Sequence, residues 1–307
     1  MGATRGLLLA ASQNRWLKDH ASRYTFVKKS VSRFMPGETL DDAIAAARDL
    51  KSKKIAAVLT HLGENVFDAR EAEQVAAHYL DVLKRIDAEN LDTEISVKLT
   101  QLGLDLSQDL CKQNLFRLLA AENPARTLWI DMEASTYVEA TLGIYRSALA
   151  EYPNTGICLQ AYLHRTAADI ESLLSMKPSI RLVKGAYAEP PTLAIRDKDA
   201  IDANYLAIAE HLFRSQLKGA VRRAAFATHD PKLIHHITNF ADAQRVSRNE
   251  VEVQMLYGIQ KAEQERLANG GWRCGVLVAY GDYWYPWFVR RLAERPANLW
   301  LLLRNLT

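Results

Sequence analysis

The chain has 307 residues, 49% of them hydrophobic and 24% charged, with a formal net charge of +3. These proportions suit a soluble globular protein with a sizeable core, built as one large domain or two smaller ones. A charge so near balance, with no dense Lys/Arg block interleaved with aromatics, argues against nucleic acid as a partner and for a small or acidic ligand.

Cys111, Cys158 and Cys274 are far apart and lack CxxC spacing, so neither a disulfide framework nor a zinc site is expected. Reduced, buried thiols in a cytoplasmic protein are the expectation. The apolar run from Leu7 to Ala11 is too short for a signal-peptide core, and no window approaches the ~20 apolar residues of a membrane span. Any membrane contact, at the inner face, would be peripheral.

Taken in chain order, residues 12–36 place Trp16, Leu17, His20, Tyr24, Val27, Val31 and Phe34 at helical spacing, with Arg15, Lys18, Arg23, Lys28, Lys29 and Arg33 between them. This predicts an amphipathic, basic helix or helix pair docked on its own domain, whose basic face would also suit anionic lipid. Pro36-Gly37 ends it, and Thr39-x-x-Asp42 reads as a capping box opening a helix that runs to about Ser52.

From there a short apolar run, a polar loop with a cap and an amphipathic helix recur. The predicted strands are Ile55 to Leu62, Glu94 to Thr100, Thr127 to Glu133, Gly156 to Tyr162, Ile180 to Tyr187, Ala224 to His229, Val251 to Gly258 and Cys274 to Gly281. Asp68-x-x-Glu71, Thr136-x-x-Glu139 and Thr166-x-x-Asp169 read as capping boxes, Asp230-Pro231 as an N-cap followed by proline, and Gly270-Gly271 as a helix stop. Strands separated by helices run parallel, and eight such units predict an α/β protein, a closed (β/α)8 TIM-like barrel. No linker marks a second domain. The expected organisation is one domain over 1–307, with N-terminal helices over 1–53 and the barrel over 54–307.

In such a barrel the active site lies at the C-terminal ends of the strands. Thr60, His61, Lys98, Asp131, Glu133, Gln160, Lys184, Thr228, His229 and Gln254 fall in the closing halves of seven strands. In the fifth, SIRLVKGAY (Ser179 to Tyr187) sets Arg181 and Lys184 among apolar residues, where an unpaired charge costs several kcal/mol. An anion is expected there. Three positions apart on a regular strand they face opposite ways, so both serve one site only if the strand ends near Lys184 and bends. Gly185 permits that turn.

After the eighth strand, Tyr280 to Trp300 is the most aromatic stretch, and Arg290 and Arg291 precede Glu294 on a C-terminal helix. Paired arginines suit bidentate capture of a carboxylate. The chemistry permitted is a small carboxylated substrate on Arg290 and Arg291, a Lys98-Asp131 pair beside it, and an anionic cofactor on Lys184, Arg181 and the helix N-terminus after His229. No GxGxxG is present, so a dinucleotide would not sit on a Rossmann turn. No metal-ligand cluster is evident. Two other readings stand: a Schiff-base aldolase or lyase using Lys98 or Lys184, and a noncatalytic amino-acid-binding barrel, which leaves the Lys98-Asp131 pair and Arg181 unexplained.

Seven motifs resemble the flavin-dependent proline dehydrogenase family, in order along nearly the whole chain. They are SVKLTQLGLD (Ser96 to Asp105), IDME (Ile130 to Glu133), LQAYLHR (Leu159 to Arg165), RLVKGAY (Arg181 to Tyr187), ATHD (Ala227 to Asp230), QMLYG (Gln254 to Gly258) and WY followed by RRLAE (Arg290 to Glu294). The resemblance implies oxidation of L-proline to Δ1-pyrroline-5-carboxylate by hydride transfer to flavin N5, with a quinone as acceptor and functional coupling to a pyrroline-5-carboxylate dehydrogenase. By it, Asp131 and Arg181 would be catalytic and Lys98, Arg290 and Arg291 would bind substrate. Met132, Gln160, Lys184, Gly185, Ala186, Thr228 and His229, with Gln254, would hold FAD. One position departs: Leu277 stands where the family carries a tyrosine that packs on the proline ring. Leucine keeps an apolar wall, favouring proline, while 4-hydroxyproline or another cyclic or secondary amino acid is the alternative.

Overall fold

The computed structural model describes residues 31–63, 66–285 and 289. Most of the predicted N-terminal helix pair, and Arg290, Arg291 and Glu294, lie outside them. Helix α1 (Leu40–Ser52) begins as its sequence requires: the Thr39 hydroxyl accepts from the Asp42 amide at 3.2 Å, and the Asp42 carboxylate accepts from the Thr39 amide at 3.0 Å. Its apolar face, Ala43, Ile44, Ala47 and Leu50, is buried against strands β1 and β8 from outside.

All eight expected strands form: β1 (Ala56–His61), β2 (Thr93–Lys98), β3 (Leu128–Asp131), β4 (Thr155–Gln160), β5 (Ser179–Val183), β6 (Arg223–Ala227), β7 (Glu252–Leu256) and β8 (Arg273–Tyr280). They pair in sequence order, all parallel, and β8 closes on β1 with Val58 opposite Leu277. Between them run α2 (Ala69–Ala88), α3 (Gln108–Ala121), α4 (Val138–Glu151), α5 (Thr166–Glu171), α6 (Lys198–Leu217), α7 (Pro231–Ala243) and α8 (Lys261–Asn269). Among the described residues no helix is long and apolar enough to cross a membrane.

Two of the remaining capping boxes are absent. Helices α4 and α5 start without a side-chain cap: Tyr137 and Arg165 hold the cap positions, the Thr166 hydroxyl donates to the Gln160 carbonyl at 2.6 Å, and Glu139 and Asp169 pair with Arg165 at 2.6 and 2.7 Å. Asp68 does cap α2, while Glu71 reaches back to the Phe67 amide, one residue before the cap. Asp230 caps α7 with Pro231 next, as expected.

The barrel is filled rather than hollow. Near the strand starts, Arg223 of β6 donates to Glu252 of β7 at 2.7 Å and to Glu94 of β2 at 3.1 Å, and Glu94 accepts the Trp129 indole N–H at 2.8 Å. All four side chains are buried or nearly so. Burial opposes ionisation of Glu252, yet Arg223 holds its carboxyl well below the usual range. This ionic floor closes the N-terminal end and leaves the opposite end for a ligand.

Candidate active site

Side chains alternate along a strand, so Ser96 and Lys98 of β2 share one face, as do Trp129 and Asp131 of β3. The register sets Ser96 opposite Trp129 and Lys98 opposite Asp131. Arg181 of β5 reaches across to them: its Nη1 donates to Asp131 Oδ1 and to Ser96 Oγ, both at 3.0 Å. Ser96 in turn donates to Asp131 Oδ1 at 2.7 Å. The expected Lys98-Asp131 ion pair is thus replaced by an Arg181-Asp131 pair, because Ser96, one pleat earlier, bridges the carboxylate to the guanidinium. Lys98 makes no ion pair among the described residues, although it abuts Asp131 in register.

Arg181 is buried, and its Nε and Nη2 have no hydrogen-bond partner among the described residues. A buried cation with idle donors is costly, which marks a place for an acceptor. Gln160 at the end of β4 donates to the Met132 and Glu133 carbonyls at 3.3 and 3.2 Å, leaving its Oε1 buried and unpartnered. A planar group with both acceptors and an N–H on its edge, such as a flavin ring, fits this set of idle atoms. Met132 is buried, and Glu133 is held by the Thr100 hydroxyl at 2.7 Å.

Strand β5 stops at Val183, and Gly185 adopts φ +114°, which disfavours any side chain; a Cβ there would also lie 2.1 Å from the Tyr162 ring. The break releases Lys184 from the alternation. It pairs with Asp202 of α6 and with Asp230 at 3.4 Å, while Arg181 serves the barrel interior. The two cations therefore face separate partners. Ala186 follows in the same loop, half-buried.

The N-terminus of α7 departs from the expected anion site, because the Asp230 carboxylate already accepts from the Lys232 amide at 3.1 Å and Pro231 has no N–H. Although burial raises it, Asp230 is held below the usual carboxylate range by that amide and by Lys184. Thr228 accepts from the Asp230 amide at 3.1 Å and His229 Nε2 accepts from the Leu256 amide at 2.8 Å. Gln254 donates to Glu252 at 2.6 Å, which ties it to the barrel floor. Leu277 packs on Val58, Trp129 and Ala225 and is partly exposed.

Sequence reasoning singled out His61 at the end of β1 but not the neighbours that cluster with it. His61 lies against His78 of α2 with ring centroids 4.5 Å apart and the planes tilted by 49°, and His78 Nε2 meets the Tyr280 hydroxyl at 2.7 Å. Burial, then His78 and Lys98, lowers His61 to about 4. The unfolded chain takes up this proton near pH 6.5 and the folded chain only near 4, so stability is intact above 6.5 and falls as pH drops through that window. Between pH 6.5 and 5 we expect a loss of about 2 kcal/mol. Urea unfolding at both pH values checks it; His61→Gln should flatten the slope, and an equal slope in the variant would rule His61 out as its source.

The proline dehydrogenase family model matches residues 43–300. The chain is 37% identical over 303 residues to "Proline dehydrogenase 1" of Bacillus subtilis subsp. natto, covering 98% of each chain. It is 35% identical over 272 residues to "Proline dehydrogenase" of Deinococcus radiodurans, covering 87% of this chain and 86% of that one. Among solved structures, proline utilization A from Bdellovibrio bacteriovorus inactivated by N-propargylglycine superposes with a TM-score of 0.79 at 23% identity. That likeness, over 94% of this chain and 36% of the other, concerns the fold.

Proposed function

The chain belongs to the proline dehydrogenase family of oxidoreductases, and from that premise we propose that it oxidises L-proline to Δ1-pyrroline-5-carboxylate with FAD as cofactor and a quinone as onward acceptor. The observation that carries this reading is the buried Arg181, pinned by one nitrogen to Asp131 and Ser96 with two others idle. FAD, when bound, supplies a two-electron acceptor for the hydride on the ring carbon beside nitrogen. Met132, Gln160, Lys184, Gly185, Ala186, Thr228 and His229, with Gln254, would hold it, Lys184 supplying a positive charge.

The chain's own part is electrostatic. Arg290 and Arg291 grip the substrate carboxylate, and Lys98 contacts the ring side. Lys98 and Arg181 outnumber Asp131 among these charges, so the local field is positive and disfavours an ammonium. The ring nitrogen then releases its proton to bulk water, leaving the neutral amine before the C–H bond breaks. Arg181 also stabilises negative charge growing at the acceptor. Leu277 offers an apolar wall to the unsubstituted ring. The product is an electrophilic imine, which a pyrroline-5-carboxylate dehydrogenase would consume, and a lipid-borne quinone would require only peripheral membrane contact.

The visible spectrum of the purified protein, titrated without oxygen, tests this. Bands near ~370 and ~450 nm that bleach with L-proline in preference to trans-4-hydroxy-L-proline are expected. Preference for the hydroxylated ring would move the substrate. A protein colourless even after reconstitution with FAD or FMN, and trapped with its substrate by borohydride, would sink the flavin reading and favour a Schiff base on a lysine.

A further inference from the structure

Among the described residues Arg181 is held by hydrogen bonds through Nη1 alone, and a single nitrogen fixes neither the tilt of a guanidinium nor the bearing of its other N–H groups. A planar surface does. The Arg181 Cζ lies 4.6 Å from the centroid of the Trp129 ring, and that of Arg223 lies 5.1 Å from the same ring. Trp129 is fully buried, and its indole N–H is tied to Glu94, itself bound by Arg223. The space it occupies is reserved by a neighbour: a Cβ on Gly156 would sit 2.5 Å from the indole Cε3. A rigid aromatic plate therefore stands between the ionic floor and the Arg181-Asp131 pair.

We infer that Trp129 is a positioning residue, whose ring face holds the Arg181 guanidinium in the orientation that meets Asp131 and Ser96 while leaving Nε and Nη2 free for the reacting ligand. The quadrupole of an indole attracts a cation over its face, and in a desolvated site this outweighs thermal tilting. The kinetic consequence rests on the proline-oxidising reading; the geometric one does not.

Trp129→Phe and Trp129→Met separate the ring face from everything else the indole does. Both remove the N–H that Glu94 accepts and both leave an apolar side chain of similar bulk, but only phenylalanine keeps a π face. In the FAD-loaded protein, Trp129→Phe should keep kcat for L-proline within about 3-fold, and Trp129→Met should lower it about 10- to 30-fold with KM changed far less. In flavin-free protein, phenylglyoxal modification of Arg181, followed by mass spectrometry, should be roughly 10-fold faster in Trp129→Met than in Trp129→Phe or the parent chain. Equal behaviour of the two variants in the modification assay would overturn the inference. Should the parent chain not oxidise proline, the proposed activity fails while the modification assay still decides the role of Trp129.

Discussion

Asp131→Ala should lower kcat for L-proline roughly a hundred- to a thousand-fold while FAD stays bound, and should cost the fold about 3 kcal/mol. Both effects follow from one contact. Arg181 is buried, and Asp131 is its ion-pair partner at 3.0 Å among the described residues, so truncation leaves a cation without a counter-charge inside the barrel. The partial exposure of Asp131 places the stability loss at the low end of the range for broken buried pairs. The Tm should fall by about 5 °C. Asp131→Asn keeps an acceptor for Ser96 and should recover part of the Tm but little of kcat, because the charge balance with Lys98 and Arg181 changes equally. Lys98→Met should leave Tm within about 2 °C, since that lysine has no ion-pair partner among the described residues. Flavin absorbance, kcat and thermal melts separate the cases. Loss of flavin from Asp131→Ala, or an unchanged rate, would remove Asp131 from the catalytic role.

The barrel was legible because its signals are local. Each strand is a short apolar run bounded by polar loops, and every predicted strand overlaps an observed one. Thr39 with Asp42 and Asp230 with Pro231 behave as their spacing demands, since cap and partner lie within one turn. The box at Thr166 failed because its hydroxyl donates to the Gln160 carbonyl at the end of β4, and that at Thr136 because a tight turn over Ser135–Tyr137 moves the helix start past it. The same limit applies at the site. Adjacent strand ends suggested Lys98 for Asp131, but a guanidinium from β5 reaches it across the lumen. Ser96 and Trp129 were passed over because a serine and an aromatic inside a strand look like packing. Period-two alternation would have found them, since each lies two positions before a residue already singled out. Glu94, Arg223 and Glu252 sit at strand starts, where no functional group was sought.

The largest stability effect is expected at that floor. Arg223→Met leaves Glu94 and Glu252 facing one another in the barrel interior, both formerly bound by the same guanidinium. Breaking a buried ion pair from one side costs about 3–5 kcal/mol, and here two carboxylates lose their shared cation together, Glu252 keeping, among the described residues, only the Arg273 cation at 3.3 Å. That is a large share of the roughly 5–15 kcal/mol that holds a domain folded, so little soluble protein should be recovered at neutral pH. The sign of the acid response in the parent chain follows. Arg223 holds Glu252 below its unfolded value of 4.5, so this contribution is complete above that pH and is lost as pH falls through the folded value near 2. Arg223→Lys keeps the charge but not the fork that spans both carboxylates, and should fold with about 2–3 kcal/mol lost. Its kinetics test how far the floor reaches. Glu94 also accepts from Trp129, but the ring face rather than that bond holds Arg181, so a slackened floor should leave kcat within about 3-fold. Urea midpoints and steady-state rates for Arg223→Lys read both effects, and a folded Arg223→Met with the parent midpoint would mean that the carboxylates are protonated and the floor is not ionic.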